Sequence, residues 1–371
     1  MTYLSGRELS AAFYTELVRP LLDQAAAEPA GSAFGHAELG HADAELENRT
    51  LKHSAALLGT GSEVVGYDTE RSVDHDWGPR LEVFLRPEDQ HLAGQLTRLL
   101  DDRLPETFRG YPVRYSRRNA PAQHHVTVGD LGAFLTGILG FDPRAGVTVA
   151  DWLRIPTQSL LEITGGAVFH DGLGELGPVI DALAWYPDDL WRYVLACQWT
   201  RIGQEEHFVG RCGEVGDELG SAVLAARLCR DLIRLCLLME RRHPPYAKWL
   251  GTAFSQLPAA DQLGPELRAT LAATSWQDRE KHLCAAYEIV AALHNDSGMT
   301  EWVDPTVRHF HDRPYRIIGG YRFATALQET IRDPQVAALP PIGAVDQFAD
   351  NTNLLSDAGA RLRHLNGLGQ P

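Results

Sequence analysis

The chain is short of basic residues for its length: 34 Lys and Arg stand against 49 Asp and Glu, a formal charge of −15. A general nucleic-acid binder needs a basic track along the phosphates, and this balance argues against one. Also lacking is any run approaching the roughly 18 uninterrupted apolar residues that a membrane helix needs. The five cysteines (Cys197, Cys212, Cys229, Cys236 and Cys284) form no CxxC pair. Four lie in or beside helical apolar patterns, so they read as buried free thiols. There is no GxxxxGK[ST] loop, no GxSxG elbow and no HExxH or HxxxH spacing among the 15 histidines. Those absences set aside a P-loop ATPase, a hydrolase elbow and a helical zinc site. No repeat with a period of about 20–50 residues appears. The opening segment, MTYLSGRELSAAFYTELVRPLL, is polar and helical in period where a signal peptide would be apolar. A cytoplasmic protein with no membrane partner is therefore expected.

What is present is a chain of 371 residues, 44% hydrophobic and 22% charged, long enough for two or three domains with substantial cores. Residues 6–28 carry Leu9, Phe13, Leu17 and Leu21 on one helical face, with Pro20 expected to bend the helix. A second helical segment is expected at about 42–54, leading into the apolar run SAALLG. Strand candidates follow at RLEVFL (80–85), YPVRYS (111–116) and HHVTV (124–128). Helices are expected near 88–104 and 130–139. This alternation predicts a small mixed sheet with helices over residues 1–145. Beyond it the pattern turns helical, from a cap at Thr148 to a stop at Gly165-Gly166, then from Asp188, over 217–241 and over 265–294. Arg227, Arg230, Asp231 and Arg234 recur at i, i+3, i+4 and i+7 and so share one face of the long helix. The expected division is an α+β unit over 1–145, a helical domain over 146–300 and a C-terminal segment, 301–371, packing back on the core.

The stretch LLGTGSEVVGYDTERSVDHDWGPR, Leu57–Arg80, concentrates the chemistry. Gly61-Ser62 after an apolar strand leaves backbone N–H groups open to phosphate oxygens, because glycine has no Cβ, and the serine adds a hydroxyl donor. Asp74 and Asp76, two residues apart, would point to the same face of an extended chain and share a cation. Magnesium takes oxygen ligands and binds through one or two carboxylates plus the phosphates of its substrate. An ordinary acidic turn is the plainer reading of Asp74-His75-Asp76. A metal-dependent phosphohydrolase is a further rival for His75-Asp76, but it would need more histidines arranged on helices.

Strand, Gly-Ser, spacer and Asp-x-Asp before the next strand together resemble the nucleotidyltransferase superfamily of the polymerase-β type. The match is carried by Gly61, Ser62, Asp74 and Asp76, with 11 residues between Ser62 and Asp74. GSEVVGYDTERSVDHDWGPR, YPDDLWRYVLACQW, GDELGSAVLAARLCRDL, PPYAKW and GAVDQFADNTNLL also resemble, in order, a bacterial family known as a domain of unknown function with a nucleotidyltransferase-like N-terminal half. The resemblance implies a polymerase-β-like sheet followed by a mostly helical domain. A more distant likeness to aminoglycoside adenylyltransferases implies a helical domain that closes over the cleft and brings a lysine to the triphosphate. Lys248, between Ala247 and Trp249, fits that role by position and type, with Arg80 and Arg211 as further candidates.

One departure stands out. Active members of the superfamily usually carry a third carboxylate on a neighbouring strand, and neither YPVRYS nor HHVTV holds an acid. Glu82 lies six residues beyond Asp76, about 20 Å along an extended strand. Asp130 and Asp171 would serve only if the fold brought them round, and His125 could replace the acid as a base.

The expected function is magnesium-dependent transfer of a nucleoside monophosphate from a triphosphate, with ATP the expected donor, to a hydroxyl or amine of a small molecule. Asp74 and Asp76 would hold the metal, while Gly61, Ser62, Arg80 and Lys248 would contact the nucleotide. The alternatives are a catalytically weak nucleotide-binding sensor or scaffold of the same fold, and a nucleotidyltransferase that modifies a protein. The segment 346–350, DQFAD, is either a polar rim over the cleft or a capped turn.

Overall fold

The computed structural model describes residues 3–27, 51–74, 76–116 and 120–367. The fold is α+β, a mixed sheet among many helices. The helical segment expected at 42–54 lies largely outside the described residues, and its last positions open a strand.

The chain divides into two compact units that trade segments. The first runs to Gly146 and takes back Ser159–Ala184 and the chain from Ser356 onward. The second comprises Val147–Gln158 and Trp185–Leu355. Residues 301–355 lie in the second unit. Only the final segment returns to the first unit, where Leu362 and Arg361 meet Gly140 and the Leu139 carbonyl.

In the first unit, helix α1 (Gly6–Phe13) starts at a capping box in which Ser5 and Glu8 satisfy each other's backbone N–H groups. Its apolar face does not continue as the sequence period suggests. Tyr14–Val18 forms a π-helical turn, and the inserted residue moves the buried stripe from Leu17 and Leu21 to Val18 and Leu22. Pro20 accounts for the turn: it has no N–H to give and its ring would clash with the carbonyl four residues back. Leu9, Phe13, Val18 and Leu22 pack with Ala55, Leu81, Val83, Leu96, Leu100 and Val126 in one core.

The sheet has five strands: β1 (His53–Leu57), β2 (Arg80–Leu85), β3 (Arg114–Tyr115), β4 (Gln123–Gly129) and β5 (Ala167–Asp171), in the order β3-β4-β2-β1-β5. Every residue of β1 is buried, which suits a short apolar run in a sheet interior. β1 is antiparallel to β2 and to β5, while β4 runs parallel to β2. The parallel pair requires a crossover, supplied by helix α2 (Ala93–Arg103) and a small hairpin, Thr107–Phe108 with Tyr111–Pro112. YPVRYS is thus split between the hairpin and β3. β5, AVFHD, is a strand that the sequence reading left at the end of a helical segment.

These directions fix which loops share an end of the sheet. The exit of β1 and the entries of β2, β4 and β5 lie together, since Ala56 pairs with Glu82, Leu57 with Ala167 and Arg80 with His125. The exits of β4 and β5 lie at the opposite end.

The second unit is helical. Helix α3 (Asp188–Glu205) crosses helix α5 (Gly320–Gln328) closely: a Cβ on Gly320 would stand 2.7 Å from the Trp199 carbonyl. Trp199 is fully buried and stacks on Phe323 with ring centroids 4.4 Å apart. Glu206 holds the start of α5 by accepting from the N–H groups of Ile318, Gly319 and Gly320 at 2.8, 3.0 and 3.0 Å. Helix α4 (Glu218–Met239) packs beside α3 and is N-capped by Asp217. All five cysteines are free, and burial pushes the thiols of Cys197, Cys229, Cys236 and Cys284 up to about 12. No helix among the described residues is long and apolar enough to cross a membrane.

Candidate functional site

β1 delivers the chain at Leu57 and Leu58 into the loop Gly59–Ser62. Gly59 (φ 84°) is anchored through its N–H to the Glu162 carbonyl at 2.7 Å. Gly61 has φ 147°, and a Cβ there would lie 2.3 Å from Oε1 of Glu63, so the position accepts only glycine without rearrangement. Ser62 opens a single helical turn, Ser62–Val65.

Two arginines fix this loop from inside the fold. Arg80, the first residue of β2, is 2% exposed and donates to Glu63 Oε1 at 2.7 Å, to the Leu58 carbonyl at 3.1 Å and to the Thr60 carbonyl at 2.6 Å. The guanidinium of Arg80, expected from the sequence to contact the nucleotide, is enclosed beneath the loop with these donors turned to protein acceptors. Arg7 of α1 donates to the Glu63 carbonyl at 3.1 Å, to the Val64 carbonyl at 2.6 Å and to the Gly165 carbonyl. Gly165 belongs to the turn that enters β5, so Arg7 ties two loops of the same sheet end together.

The segment from Gly66 to Pro79 is pinned at Asp68. One carboxylate oxygen accepts from Tyr3 Oη and the Gly6 N–H, each at 2.7 Å, and from Trp77 Nε1 at 3.2 Å. Asp74 ends a short 3-10 helix, Glu70–Asp74, and faces solvent beside Arg71, with N to O 3.2 Å. Asp76 is half-buried and left-handed, with φ 52°. Neither Asp74 nor Asp76 itself has the extended backbone on which the expected alternation rests. His75 lies outside the described residues. Asp76 in the left-handed region costs about 1 kcal/mol or more, a strain that tends to collect at functional positions. The exposed Arg71–Asp74 pair holds its carboxylate only weakly, by at most about 1 kcal/mol.

The strand directions decide the third carboxylate. Asp171 ends β5 at the opposite end of the sheet, level with Ser54. It accepts from Ser54 Oγ at 2.7 Å and from the Gly174, Glu175 and Gly177 N–H groups at 3.0–3.2 Å. Burial opposes its ionisation, but the hydrogen bonds from Gly177, Ser54, Leu176 and Glu175 outweigh it and lower the pKa. Asp130 follows β4 at that same far end and N-caps Leu131–Leu139 through the Ala133 N–H at 2.7 Å. Both acids serve helix starts. At the loop end, His125 sits level with Arg80, and its Nε2 lies 2.8 Å from the Tyr115 carbonyl. Because a carbonyl can only accept, Nε2 carries the proton and Nδ1 the lone pair. Glu82 lies inside the sheet opposite Ala56 and Thr127.

Lys248 lies in the helical unit, exposed in the first turn of Ala247–Ser255, with Nζ 4.8 Å from the Trp249 ring centroid. Arg211 closes the helix Phe208–Glu214 and lies over Phe208. The segment DQFAD falls in a short capped turn, Val345–Phe348, in which Gln347 Oε1 accepts from the Ala344 N–H at 2.9 Å. Asp346 and Gln347 are buried, Asp346 on Arg234 and Thr157, Gln347 on Gln198 and the Val194 carbonyl.

Sequence reasoning named Gly61, Ser62, Asp74 and Asp76 but not Arg7, Glu63 and Asp68, which hold the loop and the segment after it. The sole signal for Glu63 was its place directly after Gly-Ser. Among the described residues, no group of three or more His, Cys, Asp or Glu side chains is arranged to hold a metal. No curated protein matches the chain. Residues 152–250 match the model of a family described as Domain of unknown function (DUF4037).

Proposed function

We propose that the protein is a magnesium-dependent nucleotidyltransferase that moves a nucleoside monophosphate, with ATP the expected donor, to a hydroxyl or amine of a small molecule. The observation that carries this reading is the shared sheet end. The Gly59–Ser62 loop leaves β1 beside the start of β2, and Asp74 and Asp76 stand a few residues before that start in the chain.

In this reading the backbone of Gly61 and Ser62 binds the phosphates, the Ser62 hydroxyl adds a donor, and the buried Arg80–Glu63 pair keeps the loop in shape. Asp74 and Asp76 suit a hard cation: both are oxygen donors, one solvent-facing and one half-buried in a strained conformation. A magnesium ion held there would neutralise charge on the transferring phosphoryl group. His125, level with Arg80 at this end of the sheet, is the candidate base for the acceptor's proton.

A second reading, a nucleotide-binding sensor without transfer, is favoured by one observation: Asp130 and Asp171, the available third acids, cap helices at the far end of the sheet. Incubation with magnesium, labelled nucleotide and a metabolite extract separates the two. Pyrophosphate release supports transfer; tight nucleotide binding without release supports the sensor. If Asp74→Ala/Asp76→Ala binds magnesium and nucleotide as the parent does, both readings of the site fail.

A further inference from the structure

The helical unit contains an arrangement that the nucleotide reading does not use. Four polar positions of α4 share one face, and three are arginines: Arg227, Arg230 and Arg234. Arg201 of α3 faces them across the helix pair. Arg227 is satisfied by Glu205, its Nε and Nη2 forming two bonds of 2.9 and 2.7 Å to the two carboxylate oxygens. Arg234 is buried and gives one N–H to Asp346 at 2.9 Å, while its Nε, also buried, meets no acceptor among the described residues. Arg201 reaches Asp231 only at 3.4 Å.

Arg230, between them, is half-buried and makes no hydrogen bond or ion pair with any described residue. Burial lowers its pKa first, and the neighbouring charges of Arg234 and Arg201 lower it further, against Asp231 and Asp350, the opposing charges that face it. A guanidinium in such surroundings gains strongly from an anion. Its planar fork presents paired N–H groups that match two oxygens of a phosphate, the charges of Arg234 and Arg201 act on it from nearby, and Arg234 Nε has a donor to spare. Asp231 is already engaged with Arg201, and Asp350 is exposed at the rim.

We propose that Arg201, Arg230 and Arg234 form an anion site in the helical unit that binds a phosphate group, with Arg230 as its principal contact. The site is independent of magnesium and of the Gly-Ser loop, so it stands or falls separately from the transfer reaction. Its ligand is a phosphorylated molecule or the pyrophosphate end of one.

Calorimetric titration of the full chain with pyrophosphate, without divalent metal and at low salt, tests the proposal. Saturable binding is expected, with affinity reduced about tenfold or more in Arg230→Gln, as for loss of one charge-assisted contact. Arg230→Lys, which keeps the charge but not the fork, should lose less. Asp74→Asn/Asp76→Asn should bind pyrophosphate like the parent. Citrate, a polycarboxylate, should compete poorly with pyrophosphate and inorganic phosphate. Because Arg230 carries no ion pair, Arg230→Gln should remain folded, and pyrophosphate should raise the melting temperature of the parent but not of this variant. Absence of saturation by millimolar pyrophosphate overturns the proposal. So does undiminished binding by Arg230→Gln, or a loss that follows the Asp74 and Asp76 substitutions instead.

Discussion

Two features of the loop end carry opposite kinds of cost. Arg80 and Glu63 are a fully buried ion pair whose desolvation is offset by close geometry and by two backbone carbonyls that take two further guanidinium donors. Removing either partner strands the other charge in the core. Arg80→Ala is therefore expected to destabilise the protein by about 3–5 kcal/mol, read by urea unfolding. Arg80→Lys should be nearly as harmful, because an ammonium cannot serve three acceptors in this plane. Asp76 behaves the other way. Its left-handed backbone is one that glycine adopts freely, so Asp76→Gly should raise stability by about 0.5–1 kcal/mol. The same change removes a carboxylate assigned to the cation, so nucleotide turnover should fall. Higher stability with lower turnover in one variant would mark a strained functional position; lower stability would mean that Asp76 is held for packing.

At the level of elements, α4 is tied to the segment Val345–Phe348 by a buried network. Asp346 accepts from Arg234 at 2.9 Å and from both the N–H and hydroxyl of Thr157. Burial works against the Asp346 charge, but Arg234 and the Thr157 hydrogen bonds prevail and hold its pKa below the ordinary 3.8. A depressed carboxylate contributes stability that is complete above its unfolded pKa and is lost as pH falls through the folded value. Unfolding midpoints of the parent should thus decline below about pH 4, and Asp346→Asn should be weaker at pH 7 yet flatter in acid. A variant curve parallel to the parent's would show that another group carries the acid sensitivity. This tie also explains what the sequence could reveal. The i, i+3, i+4, i+7 arginine face of α4 was legible, because it depends on local period alone. The partner of Arg234, 112 residues away, was not, because nothing local distinguishes a buried aspartate from a solvated one. The same limit applies to β5: five residues after Gly-Gly carry too short a pattern to reveal the neighbour β1, and only pairing makes them a strand. The shift from Leu17 to Val18 was hidden for a different reason. Pro20 announces a bend, but whether the helix kinks or inserts a residue is settled by the packing of α1 against the sheet.

For the whole molecule, a charge of −15 opposes the approach of a polyphosphate, so any nucleotide affinity must come from local donors rather than long-range attraction. On the proposed reading these would be backbone N–H groups and the Ser62 hydroxyl, helped by a cation on Asp74 and Asp76. Two consequences separate this protein from a nucleic-acid enzyme. Duplex DNA should show no retardation with the protein at physiological salt, since no basic track offsets the net charge. Nucleotide binding, by contrast, should depend on the metal. Removing divalent ions with a chelator should weaken ATP binding in the parent and have little effect in Asp74→Ala/Asp76→Ala, because that variant has already lost the carboxylates through which a cation would act. Equilibrium dialysis with labelled ATP, with and without magnesium, reads both proteins in one experiment. A metal dependence that survives in the double variant would place the cation elsewhere and leave Asp74-His75-Asp76 as an acidic turn. A dependence abolished by the substitutions, joined to pyrophosphate release, would make the shared end of β1 and β2 a transfer site despite the two acids spent on helix caps at the far end.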